Sequence, residues 1–410
     1  MSTFRAPKGT NDVLPPDSGW WRHAYRVFED VAEQFGYGLA LTPLFEDTEV
    51  FARGVGGDTE VVEKQMYSFL DKGGRSITLR PEATASVVRA AIQAGGVQGR
   101  LKASYWGPMF RYERPQKGRY RQFYQGGVEY LGSGSPEADV EVIEFGYRYL
   151  ERMRVPHVDV HINTIGDAAD RARHRTELIK YFLERFDELS PDSQRRVETN
   201  PMRVLDSKAD TDVIADAPKP SDFLSDEPAE HFDAVRAGIE ALSIPYTLDS
   251  TLVRGLDYYN RSVWEYIPRT YDAAQSSVGG GGRYDGLFEI LGGKPTPAVG
   301  LAMGVDRIFL ASEAAPPRSL LDTFVVVADD KKRTEARTLV SELRREGLRV
   351  DMTDTVRSVK AQFKEADRSA SATAIVVGDE WSSGLVAVKD LKTGEQQEIP
   401  IKEIGRWLRA

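Results

Sequence analysis

Five cations and one acid are concentrated in a short stretch of the chain, FRYERPQKGRYRQFYQ, at residues 110–125. The cations are Arg111, Arg114, Lys117, Arg119 and Arg121, and the acid is Glu113. The planar fork of arginine matches phosphate oxygens, and a carboxylate can accept a hydrogen bond from an exocyclic amine. Side chains two apart on an extended chain share a face, so Arg111 and Glu113 can meet one ligand. The stretch is therefore either a solvated basic loop or part of a nucleotide site.

Another arginine beside glycines occurs in VGLAMGVDRIFL, which begins at Val299. The pattern indicates a strand that turns into a helix near Gly304, with Arg307 in the first turns of that helix. An arginine at this place can stack on a purine and reach a phosphate, or it can pair with an acid at an ordinary helix start.

Two further segments, LVRGLDYY and VGGGGRYDGL, combine arginines, glycines and tyrosines. They place Arg254 and Arg283 beside glycines and supply the hydroxyls of Tyr258, Tyr259 and Tyr284. The glycine run lacks the Lys-Ser/Thr ending of a P-loop and does not match GxGxxG. We interpret it as glycine backbone that lies beneath a small bound substrate.

A carboxylate, Glu82, stands in LRPEATA at the start of a predicted helix. There it either caps the positive end of the helix or holds a substrate ammonium group.

Composition limits the chemistry. The chain has 410 residues, which suggests two or three domains, and its 41% hydrophobic and 29% charged residues are typical of a globular protein. It has no cysteine, which excludes disulfides, a thiol nucleophile and cysteine-ligated zinc. Its five histidines are His23, His157, His161, His174 and His231. None lies beside another candidate site, so we expect structural or surface roles for them and no metal site.

Charge is distributed unevenly along the chain. The net charge is −9, but residues 321–410 hold sixteen Lys and Arg against sixteen Asp and Glu, so the acidic excess lies before them. A polyanion would have to be held by local basic patches. The chain has no run of about 18 apolar residues, and its start, MSTFRAPKGTND, has no apolar core of a signal peptide. These features predict a cytoplasmic location without membrane contact.

Hydrophobic patterns predict the elements that position these residues. The segments on either side of the basic loop read as a long antiparallel hairpin, and LALTPLFED reads as an edge strand that carries Pro43. A helix is predicted for PEATASVVRAAIQA, with Pro81 in its first turn. Between residues 166 and 248 the chain has charged helical patterns interrupted by prolines, which indicates a helical insertion.

The end of the chain has a different pattern. After a linker at Pro316 and Pro317, strands and helices alternate as βαβαβ, which predicts a small, mostly parallel sheet followed by a hairpin and a last helix. We therefore predict an α+β protein with a body at 1–320, a helical insertion at 166–248 and an α/β domain at 321–410.

Six segments together carry a resemblance that none carries alone. In chain order they are KGTNDVLP, TLRPEATASVVRA, GPMFRYERPQKGRYRQFYQ, LVRGLDYYNRSVWEY, GGGGRYDGL and VGLAMGVDRI. They resemble class II aminoacyl-tRNA synthetases, specifically the histidyl-tRNA synthetase family, over essentially the whole chain. The resemblance implies a class II catalytic domain with an antiparallel sheet flanked by helices, a helical insertion and a C-terminal α/β anticodon-binding domain. It also implies ATP-dependent ligation of L-histidine to tRNA(His) through histidyl-adenylate, with Mg²⁺ accompanying ATP.

The resemblance also implies roles for individual residues. Arg111 would hold the ATP α-phosphate, Glu113 the adenine amine, and Arg307 the adenine face and the γ-phosphate, with assistance from Arg119. Arg254, with Arg111, would be catalytic, as a fixed cation at the α-phosphate. The positions that match the histidine pocket are Glu82, Thr84, Gln125, Glu129, Tyr259 and Tyr284. Glu129 and Tyr259 would lie nearest the imidazole.

Pro43 matches the proline of the family's dimer-interface motif, so a homodimer is expected. Three positions depart from the family pattern: Ala83 replaces a glycine, and Tyr112 and Tyr124 replace histidines. Two other functions remain open. One is a non-catalytic paralogue that binds histidine as a regulatory subunit of ATP phosphoribosyltransferase, which usually lacks the C-terminal domain. The other is a ligase with a non-RNA acceptor.

Overall fold

A computed structural model describes residues 4–15, 17–56, 59, 61–253, 256–269, 277–313 and 321–409. The predicted catalytic residue Arg254 and the predicted linker at Pro316 and Pro317 lie outside the described residues. The chain divides into two compact units, which are Met1–Asp12 with Ala24–Ala314 and Val13–His23 with Ala315–Ala410.

The described part contains both helices and strands, as the predicted α+β class requires. The strands are β1 Gly38–Leu39, β2 Phe45–Asp47, β3 Tyr67–Leu70, β4 Ser76–Leu79, β5 Leu101–Phe110, β6 Gln122–Leu131, β7 Val158–Thr164, β8 Tyr246–Leu248, β9 Asn260–Pro268, β10 Gly279–Arg283, β11 Ala298–Gly304, β12 Thr323–Val327, β13 Val350–Met352, β14 Thr373–Val377, β15 Leu385–Asp390 and β16 Gln396–Pro400. The α-helices are α1 Ser18–Gln34, α2 Thr48–Val55, α3 Thr84–Gln93, α4 Pro136–Arg152, α5 Ala168–Glu184, α6 Pro191–Gln194, α7 Thr211–Ala215, α8 Asp226–Ala241, α9 Leu287–Ile290, α10 Val305–Ala311, α11 Arg333–Arg345, α12 Val359–Arg368 and α13 Ile404–Trp407. In the described residues, every helix is too short or too polar to cross a membrane.

An eight-stranded sheet forms the centre of the larger unit. Its order is β1-β5-β6-β11-β10-β9-β7-β8. The outermost pairs, β1 with β5 and β7 with β8, are parallel, and the other pairs are antiparallel. Helix α4 packs on this sheet, and its Val142, Phe145 and Tyr149 are fully buried. The predicted antiparallel sheet with flanking helices is therefore confirmed.

The predicted long hairpin around the basic stretch is present. Strands β5 and β6 pair over their full ten residues, from Leu101 opposite Leu131 to Phe110 opposite Gln122. The loop between them therefore holds all five cations and Glu113. Since β6 also pairs with β11, the loop lies at the same end of the sheet as the start of α10.

Two local predictions were wrong. The strand predicted for LALTPLFED is divided, because Pro43 has no N–H for a ladder: β1 ends before it and β2 begins after it, each at a sheet edge. The helix predicted to contain Pro81 begins only at Thr84, because the side chain of Glu82 accepts the first backbone N–H groups of the helix.

The segment predicted as a helical insertion, residues 166–248, contains four helices, α5 to α8. Its last residues, Tyr246–Leu248, form β8 and join the main sheet beside β7. Helix α5 begins with a capping box in which the carboxylates of Asp167 and Asp170 accept backbone N–H groups at the helix start. Helix α8 packs against α4.

The smaller unit contains a five-stranded sheet in the order β13-β12-β14-β15-β16. Strands β12, β13 and β14 are parallel, and β15 and β16 add an antiparallel hairpin. The βαβαβ pattern, the hairpin and the last helix are all as predicted. Helix α11 supplies Leu339, Val340 and Leu343 to the apolar core of this unit.

Candidate active site

One pocket in the larger unit collects most of the predicted site residues. The predicted residues that line it are Glu82, Thr84, Arg111, Glu113, Arg119, Gln125, Tyr259 and Arg307. Glu129 and Tyr284 are buried behind its wall, where each is hydrogen-bonded into the same cluster. The segments that supply them are separated by more than 200 residues of chain, and the antiparallel sheet brings them together.

Three arginines occupy one end of the pocket. Arg111 donates from Nε to the Pro81 carbonyl at 2.9 Å, and its guanidinium lies 5.4 Å from the centroid of the Phe123 ring. Arg307 donates to the Gly118 carbonyl at 3.1 Å and to the Ser277 carbonyl at 3.0 Å. These carbonyls hold both guanidinium groups in place. None of these three bonds is made to a carboxylate.

The arginines repel one another. Burial lowers the pKa of Arg307, and the positive charges of Arg119 and Arg111 lower it further, whereas Glu113 and Glu265 raise it. Arg119 is paired with Glu113, with 3.3 Å between Nε and Oε2. A cluster of this kind is stabilised by an anion, so this end of the pocket is suited to phosphates.

A carboxyl group near the loop end of the hairpin holds strand β6 beside this arginine cluster. Asp306, in the first turn of α10, accepts the backbone N–H of Tyr124 at 2.9 Å. Burial raises the pKa of Asp306 to about 6, although the Tyr124 N–H acts in the opposite direction. Through this bond the helix that carries Arg307 is joined to the strand that carries Gln125.

The other end of the pocket is polar and deeply buried. Glu82 accepts from the backbone N–H of Thr84 at 2.7 Å and of Ala85 at 2.9 Å. Burial raises the pKa of Glu82, and these two donors oppose that effect. Glu82 therefore makes the contacts of a helix-capping carboxylate and also faces the pocket, so both of its predicted roles are compatible with the structure.

Glu129 is the centre of this end. Its side chain is fully buried; Thr84 donates to its Oε1 at 2.6 Å, and the Tyr284 hydroxyl donates to its Oε2. Burial raises the pKa of Glu129 to about 8, against the lowering effect of the two hydroxyl donors. A Cβ at position 300, directly across the β6–β11 pair, would collide with the Glu129 carboxylate and the Val128 carbonyl, so glycine there lets the Glu129 side chain keep its position.

Aromatic rings and an amide complete the wall. The rings of Tyr258, Tyr259 and Tyr284 lie together, with centroids 4.6 Å apart for Tyr258 and Tyr259 and 5.5 Å apart for Tyr258 and Tyr284. Among the described residues, the Oε1 atom of Gln125 is buried without a hydrogen-bond partner. An unpaired buried acceptor in a pocket is expected to be satisfied by a ligand.

Sequence reasoning missed several residues that line the pocket. Phe123, Glu265 and Asp306 were not predicted, and Tyr258 was noted only as a hydroxyl near glycines. For Glu265 the available signal was an acid within an apolar strand. For Asp306 it was the position directly before Arg307. Arg283, which the sequence presents beside the glycine run, does not line the pocket; its side chain is buried against Asp139.

The three departures from the family pattern lie around the pocket. Ala83 is fully buried in the neighbouring apolar core with a φ of −110°, which any residue can adopt. The Tyr112 ring is exposed, and the guanidinium of Arg121 lies over it at 3.8 Å. Tyr124 contributes the backbone N–H that Asp306 accepts. None of the three is among the residues that line the described pocket.

The described residues contain no cluster of three or more carboxylate or histidine side chains that could hold a metal ion. The pocket itself supplies carboxylates singly, with Glu113 and Glu265 near the arginines. A divalent cation at this place would therefore depend on oxygens of a bound ligand.

Comparisons with known proteins cover almost the whole chain. Residues 9–308 match the model of the histidyl-tRNA synthetase family, and residues 322–410 match that of the anticodon binding domain. The chain is 42% identical to histidine–tRNA ligase of Geobacillus thermodenitrificans over 99% of this chain and 98% of that protein. It is 43% identical to the same enzyme of Streptococcus pneumoniae over 98% of this chain and 96% of that one. The crystal structure of apo S. aureus histidyl-tRNA synthetase superposes with a TM-score of 0.79 at 36% identity, with all of both chains covered.

Proposed function

Because this chain belongs to the histidyl-tRNA synthetase family and is a histidine–tRNA ligase, we propose that its pocket makes histidyl-adenylate before the amino acid is transferred to tRNA(His). The observation that carries the proposal is the convergence of Arg111, Arg119 and Arg307 in the same pocket as the buried Glu129 cluster. One end suits a polyphosphate and the other suits a small polar ring. Their adjacency suits a reaction that joins the two substrates.

The first step forms one bond and breaks one. A carboxylate oxygen of histidine attacks the α-phosphorus of ATP, the bond from that phosphorus to the bridging oxygen breaks, and pyrophosphate leaves with the electron pair. Negative charge develops on the equatorial oxygens, so preorganised cations lower the barrier without a nucleophilic side chain. Arg111 supplies one cation at the α-phosphate. We assign Arg254, which lies outside the described residues, as the second on the basis of the family pattern.

The family pattern assigns the remaining phosphate and base contacts, and the presence of the three side chains in one pocket supports this part of the proposal. Arg307 and Arg119 meet the γ-phosphate, and the Arg307 guanidinium also covers the adenine face. Glu113 accepts from the adenine amine, a role supported by its position beside Arg119 in the pocket.

Histidine is recognised at the buried end. Glu129 and Tyr259 bond the imidazole nitrogens, and Glu82, Thr84 and Gln125 hold the amino-acid backbone and ring edge. Support comes from the raised pKa of Glu129 and from the unpaired Oε1 of Gln125, because both groups gain a partner when a polar ligand binds. A site built on such bonds rejects amino acids that lack them.

Magnesium enters with ATP and is held mainly by the phosphates. Glu265 is one carboxylate that would contact it, because Glu265 lines the pocket near Arg307. When bound, the ion supplies positive charge that offsets the charge of the leaving pyrophosphate.

The second step transfers histidine from the adenylate to a ribose hydroxyl at the 3′ end of the tRNA. The hydroxyl oxygen forms a bond to the activated carbonyl carbon, the bond from that carbon to the phosphate oxygen breaks, and AMP leaves together with the hydroxyl proton. The exposed cations Arg114 and Lys117 at the tip of the hairpin loop contact the phosphates of the acceptor end. A groove lined by Arg171, Arg175 and Arg203 adjoins Tyr259 and provides a further surface for the acceptor strand.

The smaller unit binds the anticodon of tRNA(His). The family match over residues 322–410, together with equal numbers of cations and acids from residue 321 on, supports this assignment. A neutral module approaches RNA at smaller electrostatic cost than the acidic remainder of the chain. Since tRNA charging serves protein synthesis, we propose that the protein works in the cytoplasm.

We propose that two copies associate through the face around Pro43. Large apolar side chains are exposed there on β1, β2, β3 and the intervening loop: Leu39, Leu41, Leu44, Phe45, Phe69 and Leu70. Leu41 is 82% exposed and Leu70 is 69% exposed, which is unfavourable unless another surface covers them. Light scattering of the wild type and of Leu41→Lys would test this, since a dimer that survives the charge would place the interface elsewhere.

The test of the proposed function is histidine-dependent exchange of labelled pyrophosphate into ATP, followed by charging of total tRNA. We expect exchange with histidine and none with the other amino acids. Histidine binding without exchange would favour the regulatory paralogue, and exchange without tRNA charging would favour a ligase with another acceptor.

A further inference from the structure

Arg283 is fully buried and lies in a complete set of hydrogen bonds on the side of β10 away from the pocket. Its Nε lies 3.3 Å and 3.2 Å from the two carboxylate oxygens of Asp139, and its Nη2 also donates to that carboxylate. Its Nη1 donates to the Ser133 carbonyl at 2.8 Å and to Asp285 at 3.1 Å, and its Nη2 donates to the Ser135 carbonyl at 3.1 Å. Arg283 therefore joins the end of β10 to the N-terminus of α4.

The same network fixes the backbone on both sides of Tyr284. The ladder between β9 and β10 is irregular between Gly282 and Arg283, so at this point only the β11 side of β10 is paired in regular register, with Arg283 opposite Val299. Beyond it, Asp285 accepts the backbone N–H of Ala298 and the side-chain amide of Asn260, each at 3.0 Å. Tyr284 lies between two anchored residues.

Tyr284 extends to the opposite side, toward Glu129 behind the buried end of the pocket. Successive side chains of an extended chain point to opposite faces, so an anchor at 283 sets the orientation at 284. The Tyr284 hydroxyl donates to Oε2 of Glu129. A small rotation of the chain at 283 would move that hydroxyl away from the carboxylate.

We propose that the buried Asp139–Arg283 pair is a positioning device that holds the Tyr284 hydroxyl on Glu129 and thereby sets the affinity for histidine. This inference rests on the proposed function, because it takes Glu129 as the group that recognises the imidazole. It goes beyond that function by assigning a role to two residues that do not line the described pocket.

The energetics of buried ion pairs favour a positioning role. Removing two charges from water costs free energy that their attraction offsets only partly, so apolar replacements of such pairs are often neutral or stabilising. Bulk stability therefore does not account for a fully buried Arg–Asp pair. A rigid planar fork with several fixed acceptors does account for it, because it defines one direction for the chain.

The experiment is a double-mutant cycle with Arg283→Lys and Tyr284→Phe in the full-length chain, measured by pyrophosphate exchange. Lysine keeps the charge but loses the fork, so Arg283→Lys is expected to raise the histidine KM about tenfold or more, the value of one hydrogen bond to a charged group, and to leave the ATP KM unchanged. If Arg283 acts through the Tyr284 hydroxyl, the double variant has the histidine KM of Tyr284→Phe alone.

Arg89→Lys serves as the matched control, because Arg89 is also paired with a largely buried carboxylate, that of Glu46, and does not line the described pocket. Its histidine KM should equal that of the wild type. Multiplication of the two single effects in the double variant, or equal loss of histidine and ATP affinity in Arg283→Lys, overturns the inference. If Arg283→Lys does not fold, Asp285→Asn, at the less buried end of the network, replaces it in the cycle.

The wild type separates this inference from the function on which it rests. Absence of histidine-dependent exchange in the wild type would refute both the proposed function and the positioning role. Normal wild-type exchange with multiplicative single effects would remove only the positioning role.

Discussion

Replacing Glu129 by glutamine tests how the pocket selects histidine. Glutamine keeps the shape of the side chain and can still bond the hydroxyls of Thr84 and Tyr284, one of them with its direction reversed, so the fold should persist. What is lost is the carboxylate that receives an imidazole N–H. Above about pH 8, where Glu129 is ionised, a hydrogen bond to a charged group is worth about 1.5–3 kcal/mol, so the histidine KM measured there should rise roughly ten- to 150-fold.

The assay is pyrophosphate exchange at varied histidine and saturating ATP, with the ATP KM measured in parallel and expected to stay within about twofold of the wild type. Glu141→Gln is the matched control, because Glu141 also accepts a tyrosine hydroxyl, from Tyr37 at 2.9 Å, but is not part of the cluster that Glu129 forms with Thr84 and Tyr284. A histidine KM raised less than threefold in folded Glu129→Gln would refute the assignment of Glu129 to the imidazole.

Three further predictions concern other parts of the mechanism. Arg254→His should fold normally and lose adenylate formation at least about a hundredfold, since one preorganised donor is worth roughly 3 kcal/mol; near-normal exchange by a folded variant would exclude this residue as the catalytic cation. A chain truncated after Ser319 should retain much of its pyrophosphate exchange and the proposed dimer while tRNA charging falls sharply, and unchanged charging efficiency would show that residues 321–410 do not bind tRNA. Burial raises the folded-state pKa of Glu129 to about 8 from an ordinary value of 4.5, so the folded protein binds more protons than the unfolded chain between these values, and stability should fall as pH rises through this window. Thermal melting should show Glu129→Gln gaining stability relative to the wild type from about pH 5 to pH 8, with no further gain above it, and a difference independent of pH would contradict the burial of an ionisable Glu129.

Local patterns predicted the elements well where the signal depended only on neighbours in sequence. The ten-residue strands β5 and β6, the strand-to-helix turn at Gly304 and the βαβαβ order after residue 320 all follow from periodicity and from glycine positions. Predictions were wrong where a single chemical group determined the boundary of an element. Pro43 divided a strand, and the Glu82 carboxylate set the start of α3.

The sequence by itself determined the residue types of the site. Arg111 and Arg307 were selected from local patterns and Arg119 and Glu129 from the family resemblance, and the structure places the three arginines in the wall of one pocket and Glu129 behind it. The local patterns are informative because an arginine fork and a carboxylate two residues apart on a strand share a face, and that spacing can be read from the chain.

Only the tertiary structure decided which side chains face the pocket and which support it from behind. Arg283 and Tyr284 are neighbours in sequence, yet one is buried against Asp139 and the other against Glu129, about 150 residues earlier in each case. Gly300 lies opposite Glu129 only because β6 and β11 pair in one register. Such contacts depend on the alignment of distant strands and on the free energy of burying charges in pairs, and neither is written in the local pattern of the sequence.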